Sequence, residues 1–66
     1  MRVQSSAMAE IEYDTPTRTL RIRFPDGDWY SYLQVPPAEH LALLAAPSLG
    51  RHFAAHIRDR YAFRRG

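Results

Sequence analysis

The residues with chemical reach in this 66-residue chain fall into four groupings. His52 and His56 stand four apart, the spacing that puts two imidazoles on one helix face as a metal pair requires. No nearby third ligand completes the set beyond His40 and Asp59, and two surface histidines on a helix account for the pair. Ser5-Ser6 has the type of a nucleophile but not the setting, since activation needs a base and an orienting group within hydrogen-bond reach. A serine pair ahead of a strand caps backbone groups instead. The sequence therefore predicts no catalytic residue, no bound metal and no cofactor. The other two groupings, a set of arginines and a Tyr30-Ser31-Tyr32 triplet, suit binding rather than turnover.

The arginines are unevenly placed. Residues 1–47 hold four arginines against six acids, whereas residues 48–66 hold five arginines against the single Asp59, within a formal net charge of +2. Asymmetry of this kind is the footprint of a polyanion contact. Every basic side chain is Arg, whose planar fork suits phosphate and stacking on bases; a GC-rich genome produces the same repertoire. Arg51, Arg58, Arg60, Arg64 and Arg65 are thus candidate phosphate ligands. Tyr30 and Tyr32 are candidate stacking rings if they face solvent.

Length and composition bound the rest. Sixty-six residues make room for one domain. With no cysteine there is no disulfide and no thiolate metal site. Aromatic packing must supply much of the core, or a partner chain must share it. Charges at Arg2, Glu10 and Glu12 interrupt any apolar leader, and no stretch is suited to a membrane. These features point to the cytoplasm and to no small-molecule substrate.

The elements that position these groups follow from periodicity. Ala9, Ile11 and Tyr13 alternate with Met8, Glu10 and Glu12, and Leu20, Ile22 and Phe24 alternate with Arg21 and Arg23, the period of half-buried strands. Asp14-Thr15-Pro16-Thr17-Arg18 is turn chemistry. Phe24-Pro25-Asp26-Gly27-Asp28 favours a three-residue loop closed by a glycine bulge. That loop pairs Phe24 with Asp28, Ile22 with Tyr30 and Leu20 with Tyr32, so both tyrosines join the core face. A two-residue loop would place them outside with the arginines. The same parity sets Glu12 opposite Arg21 and Glu10 opposite Arg23, which makes the open face a poor phosphate platform.

After Val35 the period becomes helical. Pro37 suits a first helical position and Pro47 ends that helix, with Leu41, Leu44 and Ala45 as its apolar stripe. Ser48 is a fitting N-cap for a second helix, whose stripe is Leu49, Phe53, Ile57 and Tyr61. Gly50 within it implies a close packing contact. The expected fold is α+β: a three-stranded antiparallel β-meander over residues 7–13, 19–24 and 29–33. Two helices, over 37–45 and 48–61, then pack on one face of the sheet. Residues 62–66 are expected to form a loosely ordered basic tail.

An ordered set of residues then carries a resemblance. Val3-x-Ser5-Ser6 leads to Tyr13-Asp14, followed by Leu20-x-Ile22-x-Phe24, Gly27, Tyr30-x-Tyr32 and Val35-Pro36. Ala46-x-Ser48-x-Gly50, Phe53 and Ile57-Arg58-x-x-Tyr61 complete it. In this order and spacing the chain resembles the KTSC family, a short domain named after the C-terminus of some lysyl-tRNA synthetases and also found as free-standing bacterial proteins. The resemblance covers nearly the whole chain. It implies a single domain without established function, with RNA binding suggested by the synthetase context. That suggestion falls on Tyr30, Tyr32 and Arg58. His52 matches nothing in the pattern.

Two readings follow. One is a non-catalytic module contacting RNA or another nucleic acid through the second helix and C-terminal arginines. The other is a protein-interaction or self-association module that uses Met8, Trp29 and Leu33 on the open sheet face.

Overall fold

Alternation in the first half of the chain builds a sheet with one buried face. The computed structural model, which describes residues 1–66, has β1 at Glu10–Asp14, β2 at Thr19–Arg23 and β3 at Trp29–Tyr32 in an antiparallel meander. Ile11, Leu20 and Ile22 are at most 1% exposed and form the sheet's contribution to the core. The turn after β2 closes as its residues require: the Phe24 amide donates to the Asp28 carbonyl at 3.0 Å, and the Gly27 amide to the Phe24 carbonyl at 2.9 Å. Gly27 has φ +94°, a conformation that a side chain would strain. This turn sets Ile22 opposite Tyr30 and Leu20 opposite Tyr32, and the first hairpin sets Glu10 opposite Arg23 and Glu12 opposite Arg21.

One parity expectation fails at the start of β1. Alternation places Met8 on the open face, but it is fully buried. Glu10 is the residue paired with Arg23, yet the Ala9 amide also donates to the Arg23 carbonyl, at 2.7 Å. Two residues thus oppose one, the arrangement of a β-bulge. The extra residue resets the alternation and turns Met8 inward, which removes it from any interface. On the outer side of β1, the Ile11 amide donates to the Met1 carbonyl and the Val3 amide to the Ala9 carbonyl, so Met1–Val3 covers that edge.

The helices close the other side of the core. α1 spans Pro37–Ala45 and α2 spans Leu49–His56. The Ser48 hydroxyl accepts from the Arg51 amide, capping α2. α1 is rotated from its expected stripe: Leu43 is fully buried and Leu44 half-buried, while Leu41 is 63% exposed. α2 keeps its stripe, with Phe53 and Ile57 buried and Leu49 and Tyr61 packed on the core. It ends at His56, five residues earlier than periodicity implies. The Phe53 carbonyl accepts from both the Ile57 and Arg58 amides, and the chain turns through Ile57–Arg60 while Ile57 stays buried. Glu39 of α1 and His52 of α2 join the helices through a 2.9 Å contact.

That early stop releases residues for a fourth strand. The expected loose tail is instead β4, Phe63–Arg65, antiparallel to β3 at the end of a four-stranded sheet ordered β1-β2-β3-β4. Its register pairs Tyr30 with Arg65, Ser31 with Arg64 and Tyr32 with Phe63. All three β4 residues are exposed, so no apolar alternation announces the strand. Backbone bonds hold it, among them Leu33 amide to Ala62 carbonyl and Gly66 amide to Trp29 carbonyl. No helix is long and apolar enough to cross a membrane.

His40 supplies a pH-dependent element. Its ring lies flat on Tyr13, centroids 4.6 Å apart, while the Tyr13 hydroxyl donates to the Val35 carbonyl at 2.6 Å. Burial holds the imidazole pKa below its ordinary value of 6.5. Between the folded and unfolded values the unfolded chain binds more protons, so this group's contribution is intact above pH 6.5 and is lost as pH falls toward the folded value. The His40 ring protons should titrate in NMR with a midpoint below 6.5. His40→Gln should flatten the loss of stability as pH falls below 6.5. A midpoint at or above the ordinary value would contradict this.

Candidate functional site

The open face of the sheet, opposite the helices, gathers charged side chains from β1, β2 and β4. β1 contributes Glu10 and Glu12, β2 contributes Arg21 and Arg23, β3 contributes Trp29 and Ser31, and β4 contributes Arg64. Arg2 joins them, because it bridges Glu10 across the covered edge of β1. At the centre the Arg21 guanidinium sits 4.5 Å from the Trp29 ring centroid, and that of Arg23 sits 6.0 Å away. Guanidinium over indole is a favourable cation–π geometry.

The glutamates are engaged. Arg21 reaches Glu12 at 3.1 Å and Arg23 reaches Glu10 at 2.6 Å. The hydrogen bond from Arg23, aided by its charge, holds the Glu10 carboxyl below the usual carboxylate range. Arg2 and Arg64 make no ion pair. The face therefore carries four arginines against two glutamates, and the excess sits at its two ends. Ser31 lies between Arg21 and Arg64, its hydroxyl donating to the Gly66 carbonyl at 3.3 Å.

The five arginines singled out from the sequence do not share one surface. Arg51 lies in the first turn of α2 and is exposed; Arg58 and Arg60 lie on the turn that follows, with Arg58 3.8 Å from Asp59. Arg64 is on the open face. Arg65 points the other way and bonds Asp28, which raises its pKa further. Tyr30 and Tyr32 face the helices. Tyr32 is 4% exposed and packs edge-on against Phe53, and Tyr30 is half-buried between Phe24 and Phe63. Burial raises the Tyr32 pKa. Neither tyrosine is an open stacking platform, because the bulged turn sets them in the core register.

Of the proposed protein-contact residues, Trp29 is half-buried on the open face, Leu33 is half-buried beyond the end of β3, and Met8 is inside. No three His, Cys, Asp or Glu side chains are grouped to hold a metal ion. Sequence reasoning missed Arg2 as a neighbour of Glu10. Its strand-like segment, Met1-Arg2-Val3, is too short for a period of two to register, so only its pairing with β1 reveals it.

Comparison with known proteins identifies the fold. The KTSC domain family model matches residues 4–61. The chain belongs to the KTSC family. A KTSC domain protein from Yersinia pestis has a crystal structure that superposes with a TM-score of 0.94, at 36% identity, over 100% of this chain and 93% of that one. An uncharacterized protein of Stutzerimonas stutzeri is 45% identical over 51 residues, 77% of this chain and 72% of that protein. A lysine--tRNA ligase of Nostoc punctiforme is 35% identical over 63 residues, 96% of this chain. This KTSC domain spans 11% of that ligase's length.

Proposed function

We propose that this KTSC domain is a non-catalytic module that contacts RNA, or another single-stranded nucleic acid, on the open face of its sheet. The observation that carries the reading is the pairing of Trp29 with Arg21 at 4.5 Å, flanked at the two ends of the face by Arg2 and Arg64, which have no acidic partner. Indole faces and guanidinium planes are both surfaces on which unstacked bases lie. Unpaired arginines on either side supply phosphate neutralisation without the cost of breaking an existing ion pair. A segment similar to this chain occurs within a lysine--tRNA ligase, which is consistent with an RNA partner. The site thus moves from the second helix to the sheet, because the C-terminal arginines are divided between two faces and Arg65 is already paired.

The test is fluorescence-anisotropy binding to labelled tRNA, single-stranded RNA and single-stranded DNA at two salt concentrations. Trp29→Ala should weaken binding by ~1–3 kcal/mol for a stacked base. Arg2→Gln with Arg64→Gln should lower the salt slope by about 0.7 per lost phosphate contact. Arg51→Gln with Arg58→Gln and Arg60→Gln should change little. Absence of binding at low salt, or loss in the helix-side variant with Trp29→Ala unaffected, would refute the sheet-face reading. A protein ligand on the same face would instead show weak salt dependence.

A further inference from the structure

The two edges of the sheet are treated differently. Met1–Val3 covers β1, but nothing pairs with the outer side of β4. Within the β3–β4 ladder, Leu33 donates to Ala62 and Gly66 donates to Trp29. Antiparallel alternation then turns Ala62, Arg64 and Gly66 toward β3, and the N–H and C=O groups of Phe63 and Arg65 outward. An edge with unsatisfied groups of this kind is a template for strand addition.

The side chains on that edge select its occupant. A second copy pairing antiparallel through Phe63 and Arg65 would set the two Arg64 side chains directly opposite, at the position where facing side chains are closest. Like charges there are destabilising, so β4 disfavours itself. On the open-face side, Arg64 has no acidic partner. On the helix side, Phe63 is 52% exposed and already leans on Tyr30 and Tyr32. An added strand therefore meets a cation on one face and an aromatic ring on the other.

We infer that the free edge of β4 accepts an extended peptide of alternating acidic and apolar residues as a fifth strand. Its acids lie beside Arg64 and its apolar side chains beside Phe63. The contact shares Arg64 with the open face but not Trp29, and its backbone pairing to Phe63 and Arg65 does not depend on nucleic-acid binding.

The test uses the full chain labelled with ¹⁵N and two capped hexapeptides, one alternating valine and glutamate, the other alternating valine and lysine. The glutamate peptide at millimolar concentration should slow amide exchange at Phe63 and Arg65 and leave Trp29→Ala equally responsive. Relative to Arg65→Ala, which likewise loses the Asp28 contact, Arg65→Pro removes the outward amide, at a place where an edge strand tolerates proline. It should bind the glutamate peptide roughly three- to tenfold more weakly than Arg65→Ala, the worth of one backbone hydrogen bond. Should Arg65→Pro fail to fold, the exchange measurement on the unaltered chain decides alone. No slowing at Phe63 and Arg65, or an equal response to the lysine peptide, would overturn the inference.

Discussion

Leu43→Ala should destabilise this domain by ~2–5 kcal/mol, whereas Leu41→Ala, two residues earlier on the same helix, should cost under ~0.5 kcal/mol. Leu43 is fully buried and Leu41 is 63% exposed. A core this small supplies only ~3–5 kcal/mol in total, so Leu43→Ala should leave much of the chain unfolded at room temperature. Urea unfolding followed by circular dichroism measures both. The comparison is sharper than either variant alone, because residue type, helix and propensity change are identical and only the direction of the side chain differs. Equal losses would mean that α1 is rotated from the orientation described.

Gly50→Ala should destabilise by ~1–2 kcal/mol, although alanine is the better helix former. A Cβ built at Gly50 lies 2.9 Å from the Ala7 Cβ, closer than real carbon contacts allow. The neighbour is a methyl fixed to backbone, so the loop before β1 or the start of α2 must shift. Overpacking of this kind costs ~1–3 kcal/mol, and the propensity gain of up to ~1 kcal/mol offsets only part of it. Ala7→Gly should rescue Gly50→Ala, since it removes the opposing methyl. Absence of rescue in a double-mutant cycle would place the cost elsewhere.

The meander was legible for a local reason. Each hairpin is specified by residues adjacent in sequence: alternation chooses the buried face, and Pro25-Asp26-Gly27 chooses the loop that puts Tyr30 opposite Ile22. α1's bounds followed from Pro37 and Pro47, and α2's start from Ser48, all of which act within one turn of chain. Gly50 showed that something lies close, but not that it is Ala7, forty-three residues away.

The candidate site was legible only in parts. Trp29, Arg21 and Arg23 share a parity that assigns them to the open face. The surplus charge on that face was not visible, because Arg2 arrives by pairing with β1 and Arg64 by pairing with β3. Read along the chain, Arg64 and Arg65 belong to one basic cluster. A strand sends neighbours to opposite faces, so they end on opposite sides of the sheet, one unpaired and one bound to Asp28.

Residue order was enough to specify the α+β class, the three-stranded meander with its register, the two helices, the capping of α2 and the family. Each rests on contacts between near neighbours, or on a pattern repeated over several residues. Long-range packing set the burial of Met8 past a bulge, the inward turn of Leu43 on α1, the end of α2 at His56 and the strand at residues 63–65. These four outcomes depend on partners distant in the chain. A bulge is set by what the opposite strand offers, and a helix's rotation by the shape of the surface beneath it. A three-residue strand with no buried side chain is specified only by the backbone groups of the strand it meets.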